Sequence, residues 1–176
     1  LVSLREAVAY RAALLEAGAI SSEHSVTFAS TLSEVSLAAA IEVVGDVRLD
    51  ASALPNGLRI APTGSYNGSL FTVSGLEAYL ELNGLTVAGA RSSAISATNG
   101  CAITVADSVF VGNHGENGGA IYATGGCAVT LSDTVFDGNL ATSRGGAFYL
   151  GVRSHADYCA LAFVDNAAQE GNDYYW

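Results

Sequence analysis

The chain is 176 residues long, half of them apolar and 20 of them Gly, with 17 acidic residues against seven Arg, no Lys and a formal charge of −10. The lack of a basic stripe argues against a nucleic-acid partner and an anionic membrane surface, and without Lys neither a lysine Schiff base nor a P-loop can form. The apolar residues fall in short runs, never in the roughly 18 uninterrupted positions of a membrane helix, so a single domain, 1–176, without membrane insertion is expected.

Leu1 is not Met and begins no signal peptide, so a processed or trimmed chain is expected. Ser3 with Glu6 three residues later is a capping box, the signature of a helix start. Leu4, Ala7, Val8, Ala12 and Leu15 then recur at helical spacing and make one apolar face, and Gly18 is the stop. The prediction is a helix within 1–18 that runs to about Ala17. Next come short runs with strand character: Val26-Thr27-Phe28, Ile41-Glu42-Val43, Val47-Arg48-Leu49, Leu58-Arg59-Ile60, Leu70-Phe71-Thr72-Val73, Leu80-Glu81-Leu82 and Leu85-Thr86-Val87. Pro55-Asn56-Gly57 and Thr63-Gly64-Ser65 punctuate them as turns.

From Leu80 a register emerges. Leu80, Leu82 and Gly89 match Ile103, Val105 and Gly112, a step of 23. Cys101, Phe110 and Asn113 recur as Cys127, Phe136 and Asn139, a step of 26, and the last two recur again as Phe163 and Asn166, a step of 27. Gly118-Gly119-Ala120-Ile121-Tyr122, Gly145-Gly146-Ala147-Phe148-Tyr149 and Gly171-Asn172-Asp173-Tyr174-Tyr175 follow the successive Asn markers. A period in the twenties, with three short strands per repeat and a variable loop after the Asn, describes a solenoid coil that is stable only when stacked. Stacking predicts an inward column of Phe110, Phe136 and Phe163 and an amide column of Asn113, Asn139 and Asn166. The fold class is an all-β right-handed parallel β-helix of five to six coils over 26–176. The helix in 1–18 covers the open end of the first coil, whose strand edges would otherwise face water.

The opening Ser3-Leu4-Arg5-Glu6-Ala7-Val8, followed by Val26-Thr27-Phe28-Ala29, resembles the Ser-Leu-Arg-Glu-Ala start of a family of secreted bacterial right-handed β-helix proteins, with Val2 where that motif carries a Cys. The later repeats resemble those of polymorphic outer-membrane proteins and related autotransporter passenger regions. Phe110-Val111-Gly112-Asn113 with Gly118-Gly119-Ala120-Ile121 is the best copy. The resemblance implies an extracellular or cell-surface protein and an adhesive rather than enzymatic role.

The same fold also hosts polysaccharide lyases and hydrolases, which makes a polysaccharide-active enzyme the alternative. Asp107 and Asp133 stack in neighbouring coils, where two carboxylates suit glycoside chemistry or Ca²⁺; the competing reading, that each closes a tight turn, is favoured. His114 with Glu116 and Asn117, in the loop after Asn113, is a candidate acid–base pair or a polar loop. Arg144, Arg153 and Asp165 make a poor basic groove in so acidic a chain. No metal-ligand spacing is present, and neither metal nor cofactor is expected. Cys101 and Cys127 come close enough for a disulfide, but in-register stacking points both Cβ atoms the same way; all three cysteines, Cys159 included, read as small buried hydrophobes.

Tyr122, Tyr149 and Tyr175 hold equivalent places in three successive coils. If Ile121, Phe148 and Tyr174 point inward, the three line an outer face suited to sugars or a protein partner; with the alternation reversed they lie in the core. After Tyr175 the chain stops at Trp176 with no cap in view. An open strand edge is expected there, produced by cutting from a longer protein or used to meet another subunit, in which case a non-closing contact makes a fibre. Tyr122, Tyr149, Tyr174, Tyr175 and Trp176 are the contact candidates. The partners expected are further copies of the chain, end to end or side by side, or glycans and proteins of a host or facing surface.

Overall fold

The computed structural model describes residues 3–21 and 24–176. Leu1, with the expectation about processing, and Val2, which stands in place of the motif's Cys, lie outside the described residues.

The helix spans Leu4–Glu16. Ser3 is its N-cap: the Ser3 hydroxyl accepts from Glu6 N–H, and the Glu6 carboxylate accepts from Ser3 N–H at 2.8 Å. These bonds hold the Glu6 carboxyl below the usual carboxylate range. At the other end Gly18, at φ +67°, closes a Schellman motif in which Ala19 N–H donates to Leu14 O and Gly18 N–H to Leu15 O. Leu4 and Val8 join the core; Ala7, Ala12 and Leu15 are half-buried. Arg11 is the unexpected member of the inward face. It is 5% exposed and donates to the His24 and Asp46 carbonyls, with its guanidinium 3.2 Å from the Asp46 carboxylate. Arg5 donates to Ala39 O and Ala40 O. The helix is thus tied to the first coil by arginine–backbone bonds as much as by apolar packing.

Six coils follow. Three parallel six-stranded sheets run the length of the solenoid. The first is built from Val26–Thr27, Asp46–Asp50, Tyr79–Asn83, Ala102–Ala106, Ala128–Ser132 and His155–Cys159. The second takes Glu34–Leu37, Leu58–Pro62, Leu85–Ala88, Val109–Val111, Val135–Asp137 and Ala162–Val164. The third takes Ile41–Val43, Phe71–Ser74, Ile95–Thr98, Ile121–Ala123, Phe148–Leu150 and Tyr174–Tyr175. The all-β parallel solenoid with one N-terminal helix is therefore as expected, and the register agrees residue for residue from Leu80 on: Leu80 pairs Ile103, Ile103 pairs Val129 and Phe136 pairs Phe163. Earlier, the step between coils stretches to 33 residues at Asp50 and Asn83, which is why the first coils look irregular in sequence.

One core fills the bore. Ile60, Leu80, Leu82, Val105, Phe110, Ile121 and Phe136 are fully buried. Phe110 and Phe136 stack at 5.3 Å, and Phe136 and Phe163 at 5.5 Å. The amide column is equally regular. Asn113 Nδ2 donates to Asn139 Oδ1 and Asn139 Nδ2 to Asn166 Oδ1, each at 3.0 Å. Each Nδ2 also donates to a carbonyl: Asn113 to Val87 O, Asn139 to Phe110 O and Asn166 to Phe136 O. Amides so deep in the core persist only because the neighbouring coils satisfy them.

Two expectations are corrected. The stretch after Asn113 is not a loop. His114–Asn117 is a strand paired in parallel with Leu140–Arg144, so two coils carry a fourth strand. Cys159 is exposed, because it pairs with outward-facing Ser132; only Cys101 and Cys127 are buried. Their sulfurs lie 2.9 Å apart as thiols. Burial, reinforced by the Cys127 sulfur, pushes the Cys101 thiol up to about 12, so at neutral pH it stays protonated and packs as a small hydrophobe.

Candidate functional site

Strand alternation decides the tyrosines. In the third sheet Ile121 pairs Phe148 and Tyr122 pairs Tyr149, and in the next coil Tyr149 pairs Tyr175. Ile121 and Phe148 are buried, so Tyr122, Tyr149 and Tyr175 face out, each half-buried. In-register stacking brings their rings into one column, with centroids 5.5 Å and 5.7 Å apart and planes within 8° and 7° of parallel. A guanidinium sits beside the far end of the column: Arg144 Cζ is 5.0 Å from the Tyr175 centroid, while Arg144 Nε donates to Glu170 Oε2 at 2.8 Å. That carboxylate holds the Arg144 pKa above its usual value, so it is a permanent cation against the ring.

The other two contact candidates belong elsewhere. Tyr174 continues the inner column, stacked on Phe148 at 5.4 Å, and Trp176 stacks on Tyr174 at 4.6 Å. Both are exposed, at 38% and 66%, on the last coil, together with Tyr158 and Val164. The structure thus divides the five candidates into an outer column and an apolar end face.

Following the outer column toward the N-terminus, the position of Tyr122 is held by Ser96 and then Thr72 and Glu42. Sequence reasoning passed over Ser96, although a break in an aromatic column is readable once the register is fixed: Ser96 stands where Tyr122 stands one coil later.

Asp107 and Asp133 stack in neighbouring coils, one position past the paired Ala106 and Ser132, but among the described residues no hydrogen bond or ion pair joins them to His114, Arg153 or Asp165. Asp107 and Asp133 are exposed at φ 47° and 46°, and the same turn position is held by Gly84 at φ 67° and Ala160 at φ 51°. Their shared property is the left-handed backbone that Asp tolerates and Gly prefers. Asp165 lies at φ 50°, the turn position of Gly112 and Gly138, and Arg144 pairs with Glu170 instead of with it. Arg153 is an exposed turn residue at φ 62°. His114 and Glu116 project from the fourth strand on its exposed side. Among the described residues no group of three or more His, Cys, Asp and Glu is placed to hold a metal ion, and no described helix is long and apolar enough to cross a membrane.

Residues 107–124 and 133–151 match the Chlamydia polymorphic membrane protein repeat. These two segments contain the first two members of the Phe and Asn columns, the Gly118-Gly119 and Gly145-Gly146 pairs and the first two outer tyrosines. No curated protein and no solved structure matches the chain.

Proposed function

We propose that this chain is a non-catalytic module displayed outside the cell, a β-solenoid that works by contact rather than by turnover. The observation that carries the reading is the outer column of Tyr122, Tyr149 and Tyr175: three ordered aromatic rings on a surface that the fold does not need for its core. Half-buried tyrosines offer apolar area at low entropic cost and a hydroxyl at the rim, which is the composition of a binding surface. The two matched repeats support the surface assignment, because the family they match is one of membrane proteins. The proposed partners are glycans or proteins of a facing surface along the column, and further copies of the chain through the apolar face of Tyr174 and Trp176.

The test combines retention of the purified chain on cultured cell layers with negative-stain microscopy and light scattering over a concentration series. Changing Tyr122 and Tyr149 to Ser is expected to weaken retention or lateral association roughly tenfold while leaving the circular dichroism unchanged, since neither ring fills the core. Unchanged retention and unchanged assembly in that double variant would remove the column from the contact surface. End-to-end stacking predicts filaments that shorten when Trp176 is changed to Ser; a chain that stays monomeric at high concentration rules that contact out.

A further inference from the structure

The outer tyrosines use most of their ring faces on one another. Tyr149 is sandwiched between Tyr122 and Tyr175, and Arg144 lies against Tyr175. Tyr122 differs. One face meets Tyr149; over the other, among the described residues, there is neither ring nor cation, because the next place in the column is Ser96. The change from Tyr to Ser leaves a notch one strand spacing deep.

That notch is a cleft of about 230 Å³ lined by Ser92, Ser93, Ser96, Glu116, Asn117 and Tyr122. Its volume equals roughly eight waters at about 30 Å³ each, room for one sugar ring and not for a chain. The fourth strand supplies the wall opposite Ser96. Ser93, 5% exposed, donates its hydroxyl to Asn117 O at 3.1 Å, which fixes that wall and leaves the Ser93 oxygen free to accept. The Ser96 hydroxyl, the Glu116 carboxylate and the Asn117 side-chain amide have no hydrogen-bond or ion-pair partner among the described residues. An open aromatic face therefore meets three unspent polar groups and no basic one.

From this arrangement we infer that the notch between Tyr122 and Ser96 is a binding site for a single neutral pyranose, presented as the end or a branch of a glycan. The chemistry matches group by group. The apolar side of a pyranose, with its polarised C–H bonds, lies on the negative face of the Tyr122 ring. The carboxylate of Glu116 accepts from two neighbouring sugar hydroxyls, the amide of Asn117 both donates and accepts, and Ser96 does the same. An anionic sugar is repelled by Glu116 and by the chain's net charge of −10, with no basic group to offset them. The depth of the notch sets the specificity: one ring fits flat against Tyr122, and the rest of the glycan continues outward over Glu116. The inference rests on the contact reading of the tyrosine column and adds the class of ligand and its seat.

Saturation-transfer NMR on the full chain tests it, with methyl β-D-glucopyranoside, methyl β-D-galactopyranoside and N-acetylglucosamine as probes and methylammonium as the cationic competitor. At least one sugar is expected to bind with its C–H face saturated. Ser96→Tyr extends the stacked column into the notch without touching the core, and is expected to weaken binding by about tenfold or more with the fold intact. Tyr122→Leu, which keeps an apolar side chain but removes the flat face, should do the same, whereas Tyr175→Leu at the far end should not. Binding that survives Ser96→Tyr, no binding of any of the three sugars, or displacement of the sugar by methylammonium at equal concentration would each overturn the inference. If retention or assembly falls in the double Tyr122 and Tyr149 variant while no sugar binds, the contact reading stands and the pyranose site alone fails.

Discussion

Replacing Asn139 with Ala is expected to destabilise the solenoid by about 4 kcal/mol, the largest effect of any single polar substitution. The Asn139 side chain is fully buried and makes four bonds: it donates to Phe110 O and Asn166 Oδ1, and accepts from the Asn113 backbone N–H and Asn113 Nδ2. Truncation strands all four partners in a place water does not reach. An orphaned buried polar group costs about 1–3 kcal/mol, and the groups here are coupled, so the total falls short of four independent losses. Asn139→Asp does not rescue, because a carboxylate cannot donate to Phe110 O. Asn166→Ala should cost less, since Asn166 is 7% exposed and its fourth bond, from Nδ2 to the part-buried Asp173 carboxylate, is longer at 3.3 Å. Urea unfolding followed by circular dichroism measures the difference. A midpoint for Asn139→Ala within error of the parent would mean the amide column does not hold the coils together.

The second large effect is predicted at Gly119, where Ala should cost about 3 kcal/mol, at the upper end of overpacking penalties. A Cβ on Gly119 would run into Gly146 O of the next coil, with Leu140 N and Leu140 O also within 3 Å. All three obstacles are backbone, so relief requires coils to separate and not a side chain to rotate. The same collision recurs one coil on, where a Cβ on Gly146 meets Asn172 O and Ala167. The Gly-Gly pairs are therefore spacing devices that let the fourth strand pass close to the third sheet. For a chain of this size the penalty corresponds to a fall of roughly 10 °C in Tm, readable in a thermal melt. Gly64→Ala is the control, since its Cβ meets nothing within 4 Å and its backbone is not left-handed; it should melt with the parent.

How much of this was legible beforehand follows from which side chains point inward. The helix announced itself through Ser3 and Glu6, and the register through Phe and Asn, because a buried amide is tolerated only where its neighbours repeat it. The fourth strand was hidden for the converse reason. The residues it turns inward are Gly115 and Ala141, too small to give an apolar period, while His114, Glu116, Leu140 and Thr142 face solvent. Arg11 was missed because a charged residue on an apolar helical face reads as polar; its role depends on carbonyls of His24 and Asp46 that only the fold brings near. The direction of the tyrosines was open, since both alternations satisfy the same pattern until Ile121 and Phe148 are seen inside. Cys159 was placed in the core on residue type, although its match to Ser132 already put it on the outer side of its strand.

The parallel sheets also determine how the molecule answers to force. Their strands run around the bore, so the ladder hydrogen bonds and the amide column lie along the axis and bear tension in series from coil to coil. A pull applied between the two ends puts the same force on every ladder, but a terminal strand is paired on one side only, so its ladder peels away first, one hydrogen bond after another, as a zipper does. Each released coil of 26 or 27 residues pays out roughly 90 Å of extended chain in exchange for one strand spacing of about 4.8 Å. A solenoid built this way lengthens in discrete steps under load while the coils behind the opening stay folded, with the outer tyrosines of those coils still in register.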